Sequence, residues 1–158
     1  MGRAAVKHKQ ILLVEDNPDD EALTLRALRR SSVPSEVFVA HDGLEAVNYL
    51  LEVCLAPGAH ERPLPHVVLL DLKLPKLDGL GVLRRIRAHA RTRLLPVVIL
   101  SSSDEEQDRL EGYSLGANSY VRKPVDFEQF LIAAAQLGVY WLTLNESPAL
   151  GPDLGMSR

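Results

Sequence analysis

Residues 67–75 have the sequence Val-Val-Leu-Leu-Asp-Leu-Lys-Leu-Pro, a short apolar run that ends on a carboxylate. Runs of this length that are rich in Val and Leu are typical of strands buried on both faces of a parallel sheet. Asp71 then follows the carboxyl end of the strand, where open α/β sheets bind their ligands. An aspartate is costly to bury without a partner, so Asp71 either belongs to a site or begins a loop.

The rest of the chain repeats this strand pattern in alternation with amphipathic helices. Four further strands are predicted, over residues 11–14, 36–40, 96–100 and 119–122. Each is followed by a segment with helical spacing of apolar residues, and most of these segments begin at an Asn or Asp that can cap a helix. Five strand–helix units in succession predict a parallel sheet covered by helices on both faces.

The sequence also predicts where the fourth helix begins and how much apolar surface the last helix carries. Ser103 and Glu106 have the spacing of a capping box, which predicts the start of the fourth helix at Ser103. The last helix is long and carries apolar residues at alternating steps of three and four from Phe127 to Leu144. One apolar face packs on the sheet, and the surplus apolar surface predicts a homodimer through the fourth helix, the fifth strand and the fifth helix.

The totals limit the class of protein. The 158 residues fit one domain, and a net charge of −3 argues against a nucleic-acid partner. The single cysteine excludes an intrachain disulfide and favours a reducing compartment. No apolar run reaches the length of a membrane span, and residues 1–10 lack the apolar segment of a signal peptide. We therefore expect a cytoplasmic protein that binds neither DNA nor membrane.

Polar side chains stand at the predicted strand ends, namely Glu15, Asp16, Asp71, Ser101 and Lys123. A parallel sheet brings these ends to one edge, where three carboxylates need a counter-charge. One lysine leaves two negative charges, which one Mg²⁺ would balance with hard oxygen ligands. Such a site suits phosphoryl transfer, because a carboxylate can attack phosphorus while a metal and a lysine stabilise the phosphoryl charge.

Over residues 9–138 the chain resembles the receiver domain of bacterial two-component response regulators. The resemblance rests on residues 116–120 and on the strand-end motifs Glu15-Asp16, Asp71 with Pro75, Ser101, and Lys123-Pro124. It implies a flavodoxin-like, doubly wound (βα)₅ fold with a five-stranded parallel sheet in the order 2-1-3-4-5. Residues 1–145 would form this receiver domain, with an extended last helix.

The resemblance also implies roles for the acidic residues. Asp71 looks like the phosphoacceptor and also like a ligand of the metal, which would be Mg²⁺. Asp16 looks like a direct ligand, and Glu15 like one that acts largely through water. The backbone carbonyl of Lys73 would supply a further oxygen to the metal.

Three other residues complete the implied site. Lys123 looks like the amine that binds the phosphate, and Ser101 like the switch hydroxyl. Ser101 lies in a serine triplet, so Ser102 remains an alternative for that contact. Tyr120 looks like the aromatic switch that turns inward on activation, and a plain core aromatic is the alternative.

Finer motifs resemble the single-domain regulators that accompany phytochrome histidine kinases. These motifs lie at residues 15–18, 71–76, 140–141 and 145–146, and a long loop at 56–65 fits the same group. The resemblance implies a sensor histidine kinase as partner, of the bacteriophytochrome type. Residues 146–158 are expected to form a flexible tail without an output domain, so the protein would signal by binding or by passing the phosphoryl group onward.

Two other function classes compete with this phosphorylated switch. A constitutive binding module without the switch is one alternative, although a retired site would have no need of buried carboxylates. An aspartyl-phosphate hydrolase is the other, and haloacid-dehalogenase-like enzymes need a second Asp two residues after the nucleophile, where Lys73 stands. We therefore expect a receiver that assists its own phosphorylation and dephosphorylation but is not an enzyme.

Overall fold

The computed structural model describes residues 9–31, 33–57, 63–146 and 148. They contain one five-stranded parallel sheet in the order β2-β1-β3-β4-β5, which confirms the predicted fold class. The strands, numbered in chain order from β1 to β5, are Lys9–Val14, Ser35–Ala40, Val67–Leu70, Val97–Ser101 and Ser119–Arg122.

Helices connect successive strands, as expected for parallel pairing. Two of them, α2 and α5, end in a wider π-helical turn. The helices α1 to α5 span Pro18–Arg30, Gly43–Asn48 with the π-turn Tyr49–Val53, Gly79–Ala88, Glu106–Ser114, and Phe127–Val139 with the π-turn Tyr140–Leu144.

Asparagine and aspartate side chains cap most of these helices. The Asn17 carboxamide oxygen accepts the backbone N–H groups of Asp19 and Asp20 at 2.9 and 3.0 Å. Asp42, Asp78 and Asp126 accept N–H groups in the first turns of α2, α3 and α5. The first helical N–H groups would otherwise lack partners, so these short polar side chains determine where the helices begin.

The predicted capping box of α4 is wrong. The helix begins at Glu106, after Glu105, and Glu105 makes no side-chain capping bond. The Ser103 hydroxyl instead donates a hydrogen bond to Asp108 Oδ2 at 2.5 Å and accepts the N–H of Glu105. Because the Ser103 side chain is bonded to Asp108 inside the helix, it does not cap the first turn, and the residues before Glu106 stay in a loop.

The helices cover the sheet in two layers. On one face, α1 and α5 pack on β1, β3 and β4 through Leu28, Trp141 and Leu142. On the other face, α2 and α3 pack on the same strands with Leu50, Leu83 and other apolar residues. All four residues of β3 are buried on both faces, as its run of Val and Leu predicts. This buried central strand holds the residue that follows it at the carboxyl edge.

The last helix has the predicted apolar surplus. Phe130 and Trp141 are buried, whereas Ile132 and Leu144 are 50% and 70% exposed. Part of this exposed surface lines an open groove beside the end of α1, formed by Arg30, Ser31, Ala135, Gln136, Val139, Tyr140 and Leu144. The exposed apolar surface of the last helix therefore extends to the end of α1.

Some predictions fall on other parts of the chain. Of the predicted tail, only Glu146 and Pro148 belong to the described residues, and five residues of the loop at 56–65 lie outside them. Within the described ranges, no helix is long and apolar enough to cross a membrane.

Candidate functional site

The ends of β1 and β3 align at the carboxyl edge of the sheet. The Asp71 N–H donates to the carbonyl of Val14 at 3.1 Å, and the Glu15 N–H donates to the carbonyl of Ala40 at 3.0 Å. This register brings together the three carboxylates singled out in the sequence. One oxygen each from Glu15, Asp16 and Asp71 lies within 4.8 Å of the other two.

The three carboxylates differ in their exposure to solvent. Glu15 and Asp71 are 1% and 9% exposed, whereas Asp16 is open to solvent. Burial raises the pKa of the Glu15 carboxyl to about 7, an effect that the neighbouring Lys123 opposes and the nearby Asp71 reinforces. Like charges at short distance in a poorly solvated pocket disfavour full ionisation, so added positive charge beside Glu15 would favour its ionised form.

Lys123 is the cation within this cluster. Its Nζ lies 2.7 Å from Glu15 Oε1, 2.9 Å from Asp20 Oδ2 and 3.5 Å from Asp71 Oδ2. Burial alone would lower the pKa of Lys123, but the hydrogen bonds with Glu15 and Asp20 and the charge of Asp71 outweigh burial and raise it. The lysine is therefore held as an ammonium, within reach of the candidate phosphoacceptor.

Asp20 is the site residue that sequence reasoning missed. Its position in the first turn of α1 predicts only a favourable interaction with the helix dipole. In the structure its carboxylate also pairs with Lys123, which follows 103 residues later in the chain. The available signal was its place in the first turn after the β1 acids, which keeps a side chain near the same edge of the sheet.

The loop from β3 to α3 is shaped by close backbone approaches. A side-chain carbon at Gly79 would collide with the Asp71 carbonyl, and the Gly79 N–H donates to the Leu72 carbonyl at 2.9 Å. Lys76 adopts a left-handed φ of 69°, and its ammonium lies 3.5 Å from Asp42 at the start of α2. Lys73, whose carbonyl is a predicted metal ligand, is an exposed residue of this loop. The loop therefore fixes the backbone around Asp71.

Ser101 lies at the end of β4 and is fully buried, whereas its neighbour Ser102 is exposed. The Lys123 N–H donates to the Ser101 carbonyl at 2.7 Å, so the backbone of β4 meets that of β5 beside the acidic cluster. The Ser101 hydroxyl accepts the N–H of Ser103 at 3.2 Å. Of the two serines, the buried one is joined directly to the strand end that carries Lys123.

Tyr120 links β5 to the segment that follows Ser101. Its hydroxyl donates to the carbonyl of Ser103 at 3.1 Å, and its own N–H donates to the hydroxyl of Tyr113 in α4 at 3.2 Å. The half-buried ring also packs at the margin of the core. Tyr120 therefore combines a core contact with a hydrogen bond to the β4–α4 loop, and its role as an aromatic switch stays a prediction.

The residues of the acidic cluster fit a hard divalent cation. Their donors are carboxylate oxygens, the ligands that Mg²⁺ prefers. With Asp20 included, four carboxyl groups face the single ammonium of Lys123 among the described residues, so the cluster has a formal charge of −3 if every carboxyl group is counted as ionised. A cleft of about 380 Å³ lies beside Asp16 and is also lined by residues from the β3–α3 loop and by Asp108, which gives the cluster an opening to solvent.

Comparison with known proteins agrees with this geometry. A model of the response regulator receiver domain matches residues 11–135. Response regulator Rcp1 of Synechocystis sp. is 34% identical over 142 residues, which cover 89% of this chain and 94% of the relative.

Solved structures extend the likeness to three dimensions. The phosphorylated cyanobacterial phytochrome response regulator RcpA is 38% identical, with a TM-score of 0.82 and coverage of 90% of this chain and 100% of that chain. The Mn²⁺-bound form of response regulator Rcp1 is 33% identical, with a TM-score of 0.80 and coverage of 89% and 99%. The bacteriophytochrome response regulator AtBRR is 52% identical, with a TM-score of 0.66 and coverage of 89% and 100%.

Proposed function

Because the chain belongs to the response regulator receiver domain family, we propose that it is a phosphorylated switch of a two-component system. A histidine kinase passes a phosphoryl group to Asp71 with the help of Mg²⁺, and the α4–β5–α5 side of the domain then changes its binding properties. The observation that carries this proposal is the meeting of three carboxylates and the Lys123 ammonium at one edge of the sheet. The family consists in general of signalling modules rather than enzymes.

The transfer step requires a nucleophile and charge stabilisation. An oxygen of the Asp71 carboxylate attacks phosphorus, an O–P bond forms, and the P–N bond to the kinase histidine breaks with its electron pair returning to the imidazole. Lys123, 3.5 Å from Asp71, donates hydrogen bonds to phosphoryl oxygens and offsets their charge.

Receiver domains bind Mg²⁺ or Mn²⁺ at an acidic pocket, and in this chain Glu15, Asp16, Asp71 and the Lys73 carbonyl would hold the ion. Bound there, the ion supplies positive charge that counters the repulsion between the carboxylate and the incoming phosphoryl group. Two buried carboxylates and one exposed carboxylate that converge within 4.8 Å support this assignment.

The phosphoryl group adds a charge of roughly −1.5 to −2 to a buried edge. The Ser101 hydroxyl turns towards it as a hydrogen-bond donor and gives up its bond with the Ser103 N–H. Tyr120 holds the carbonyl of the same Ser103, so a displacement of this residue reaches the tyrosine and then α4. The switch thus uses the hydrogen bonds between β4, β5 and α4 that are already present.

The partners follow from the same proposal. Relatives that are phytochrome response regulators support a bacteriophytochrome-type kinase as the phosphodonor. The proposed output is binding to another protein or onward phosphotransfer, in the cytoplasm and without direct contact with DNA. Exposed apolar residues on α4 and α5, which include Leu110, Tyr113 and Leu144, support a homodimer through the α4–β5–α5 side.

Phosphorylation of the purified protein tests the proposal. Incubation with acetyl phosphate and Mg²⁺ should add one phosphoryl group, measured as an increase in intact mass, and Asp71→Asn should remove this addition. Asp78→Asn is a matched control, because this exposed aspartate lies in the same loop and caps α3. Equal labelling of wild type and Asp71→Asn would contradict the assignment, and a partner affinity that is indifferent to beryllofluoride with Mg²⁺ would favour a constitutive binding module.

A further inference from the structure

The ammonium of Lys123 is shared unequally among its three carboxylates. Its distances to Glu15 and Asp20 are 2.7 and 2.9 Å, both within the usual range for charge-assisted hydrogen bonds. Its distance to Asp71 is 3.5 Å, at the outer limit of a hydrogen bond. The lysine therefore lies towards the β1–α1 side of the site and away from the candidate phosphoacceptor.

The two close partners differ in how firmly they can hold the lysine. The side chains of Lys123 and Glu15 are 6% and 2% exposed, and that of Asp20 is 29% exposed. An ion pair with one partly hydrated member is weaker and more strongly screened by salt than a sheltered pair. Asp20 is also outside the group of three carboxylates that converge on the candidate metal position. Its pairing with Lys123 is thus the one that can break at the lower cost.

From this geometry we propose that Asp20 is a positioning residue that restrains Lys123 on the α1 side of the site until a phosphoryl group arrives. The inference rests on the proposed function, since it assigns Lys123 to the phosphoryl oxygens. A phosphoryl group on Asp71 brings roughly −1.5 to −2 of charge, which competes with the single charge of Asp20 for the position of the Lys123 ammonium. Asp20 acts only through Lys123, because it sets the free energy needed to move the lysine from Asp20 to the phosphoryl oxygens.

The restraint has a definite direction. When Lys123 leaves Asp20 for the phosphoryl group, the ion pair at 2.9 Å is lost. The free energy of this lost ion pair offsets part of the free energy gained from the new contact between Lys123 and the phosphoryl group. Without the negative charge of Asp20, the phosphorylated state forms at a lower cost. The unphosphorylated state is therefore favoured by Asp20, by an amount typical of a partly exposed ion pair.

The affinity of the protein for beryllofluoride, a phosphoryl mimic, measured by calorimetry at saturating Mg²⁺, tests this inference. Asp20→Asn keeps the shape of the side chain and removes its charge, and should raise the affinity about threefold to fivefold at low salt. Asp20→Glu retains the charge and should remain close to wild type. Because surface ion pairs are screened by salt, the difference between wild type and Asp20→Asn should shrink at 0.5 M salt.

Asp19→Asn is the matched control. Asp19 is its neighbour in the first turn of α1, carries the same charge and is exposed. A general effect of negative charge at this helix end would appear in both variants, whereas the restraint on Lys123 predicts a gain in Asp20→Asn alone. Equal affinities of the two variants, or a lower affinity of Asp20→Asn than of wild type, would overturn the inference.

The two proposals fail in different ways. If the wild type binds no beryllofluoride and Asp71 takes up no phosphoryl group, the proposed function fails. The ¹⁵N resonance of Lys123 Nζ in the protein without beryllofluoride still tests the ion pair directly. It should shift in Asp20→Asn and stay in place in Asp19→Asn, and an unchanged resonance in Asp20→Asn would show that Asp20 does not hold the lysine.

Discussion

Helix α4 contacts the edge strand β5 and helix α5 packs against α1, and the domain holds the two helices by different interactions. The inner face of α5 buries Phe130, Leu131 and Ala134 in a cluster with Ala27 of α1. A side-chain carbon at Gly138 of α5 would lie 2.9 Å from the Leu28 side chain of α1, so α5 and α1 approach each other closely. In α4, by contrast, Gly112 is the only buried residue.

Polar contacts do for α4 part of what apolar burial does for α5. The Tyr113 hydroxyl accepts the Tyr120 N–H, and Asp108 accepts the hydroxyl of Ser103. Beyond the end of α4, the Arg87 guanidinium donates to the Gly116 carbonyl at 2.7 and 3.0 Å. Elements with few buried apolar contacts open at a lower energy than core elements. Apolar burial therefore holds α5 in the domain, whereas α4 has little apolar burial and is held in part by polar contacts.

The largest expected loss of stability comes from truncating Phe130, a buried aromatic residue of α5. Phe130→Ala should lower the free energy of unfolding by about 3–5 kcal/mol, because a buried aromatic ring is replaced by a cavity. Leu110→Ala on α4 should change it by less than about 0.5 kcal/mol, since Leu110 is 57% exposed. Urea unfolding followed by circular dichroism measures both. Similar losses in the two variants would mean that the helices do not differ as described.

An intermediate effect is expected from the polar contacts of α4. Tyr120→Phe removes the hydroxyl that donates to the Ser103 carbonyl, which should cost about 0.5–1.5 kcal/mol. The loss should appear as faster amide hydrogen exchange in the β4–α4 loop and in α4, with exchange in α5 unchanged. Uniformly faster exchange across both helices would indicate global destabilisation and would remove the distinction between them.

The smallest change in stability is expected from a substitution that weakens the proposed dimer. Leu144 is 70% exposed at the end of the α5 extension, so Leu144→Ser should alter the free energy of unfolding by less than about 0.5 kcal/mol. If the outer apolar surface of α5 forms the proposed dimer, the variant should nevertheless lose dimer mass in light scattering at high micromolar concentration. A wild-type protein that is monomeric under these conditions would contradict the proposed dimer.

The fold was predictable because its signals are local. The run at 67–70 and the segment 119–122 form strands with the predicted boundaries, and Asn17 and Asp126 cap the helices that they precede. Each of these predictions depends on a few neighbouring residues. The convergence of Glu15, Asp16 and Asp71 also followed, because parallel strands present their carboxyl ends at one edge.

The sequence predictions were wrong or incomplete where a polar side chain has more than one possible hydrogen-bonding partner. The start of α4 was misplaced because Ser103 bonds with Asp108 rather than with the backbone of the first turn. The pairing of Asp20 with Lys123 could not be predicted, since it depends on how α1 sits against the end of β5. Residue spacing indicates which groups reach the edge of the sheet, but the packing of the helices determines which of them touch.

The lysine that completes the acidic cluster has a consequence for synthesis of the protein. Lys123 pairs with Glu15 and Asp20, which precede it by 108 and 103 residues. In a growing polypeptide the acids Glu15, Asp16, Asp20 and Asp71 are therefore all synthesised before Lys123. Domains fold largely as units during translation, so the ion pairs of Lys123 with Glu15 and Asp20 form only after β5 has been synthesised.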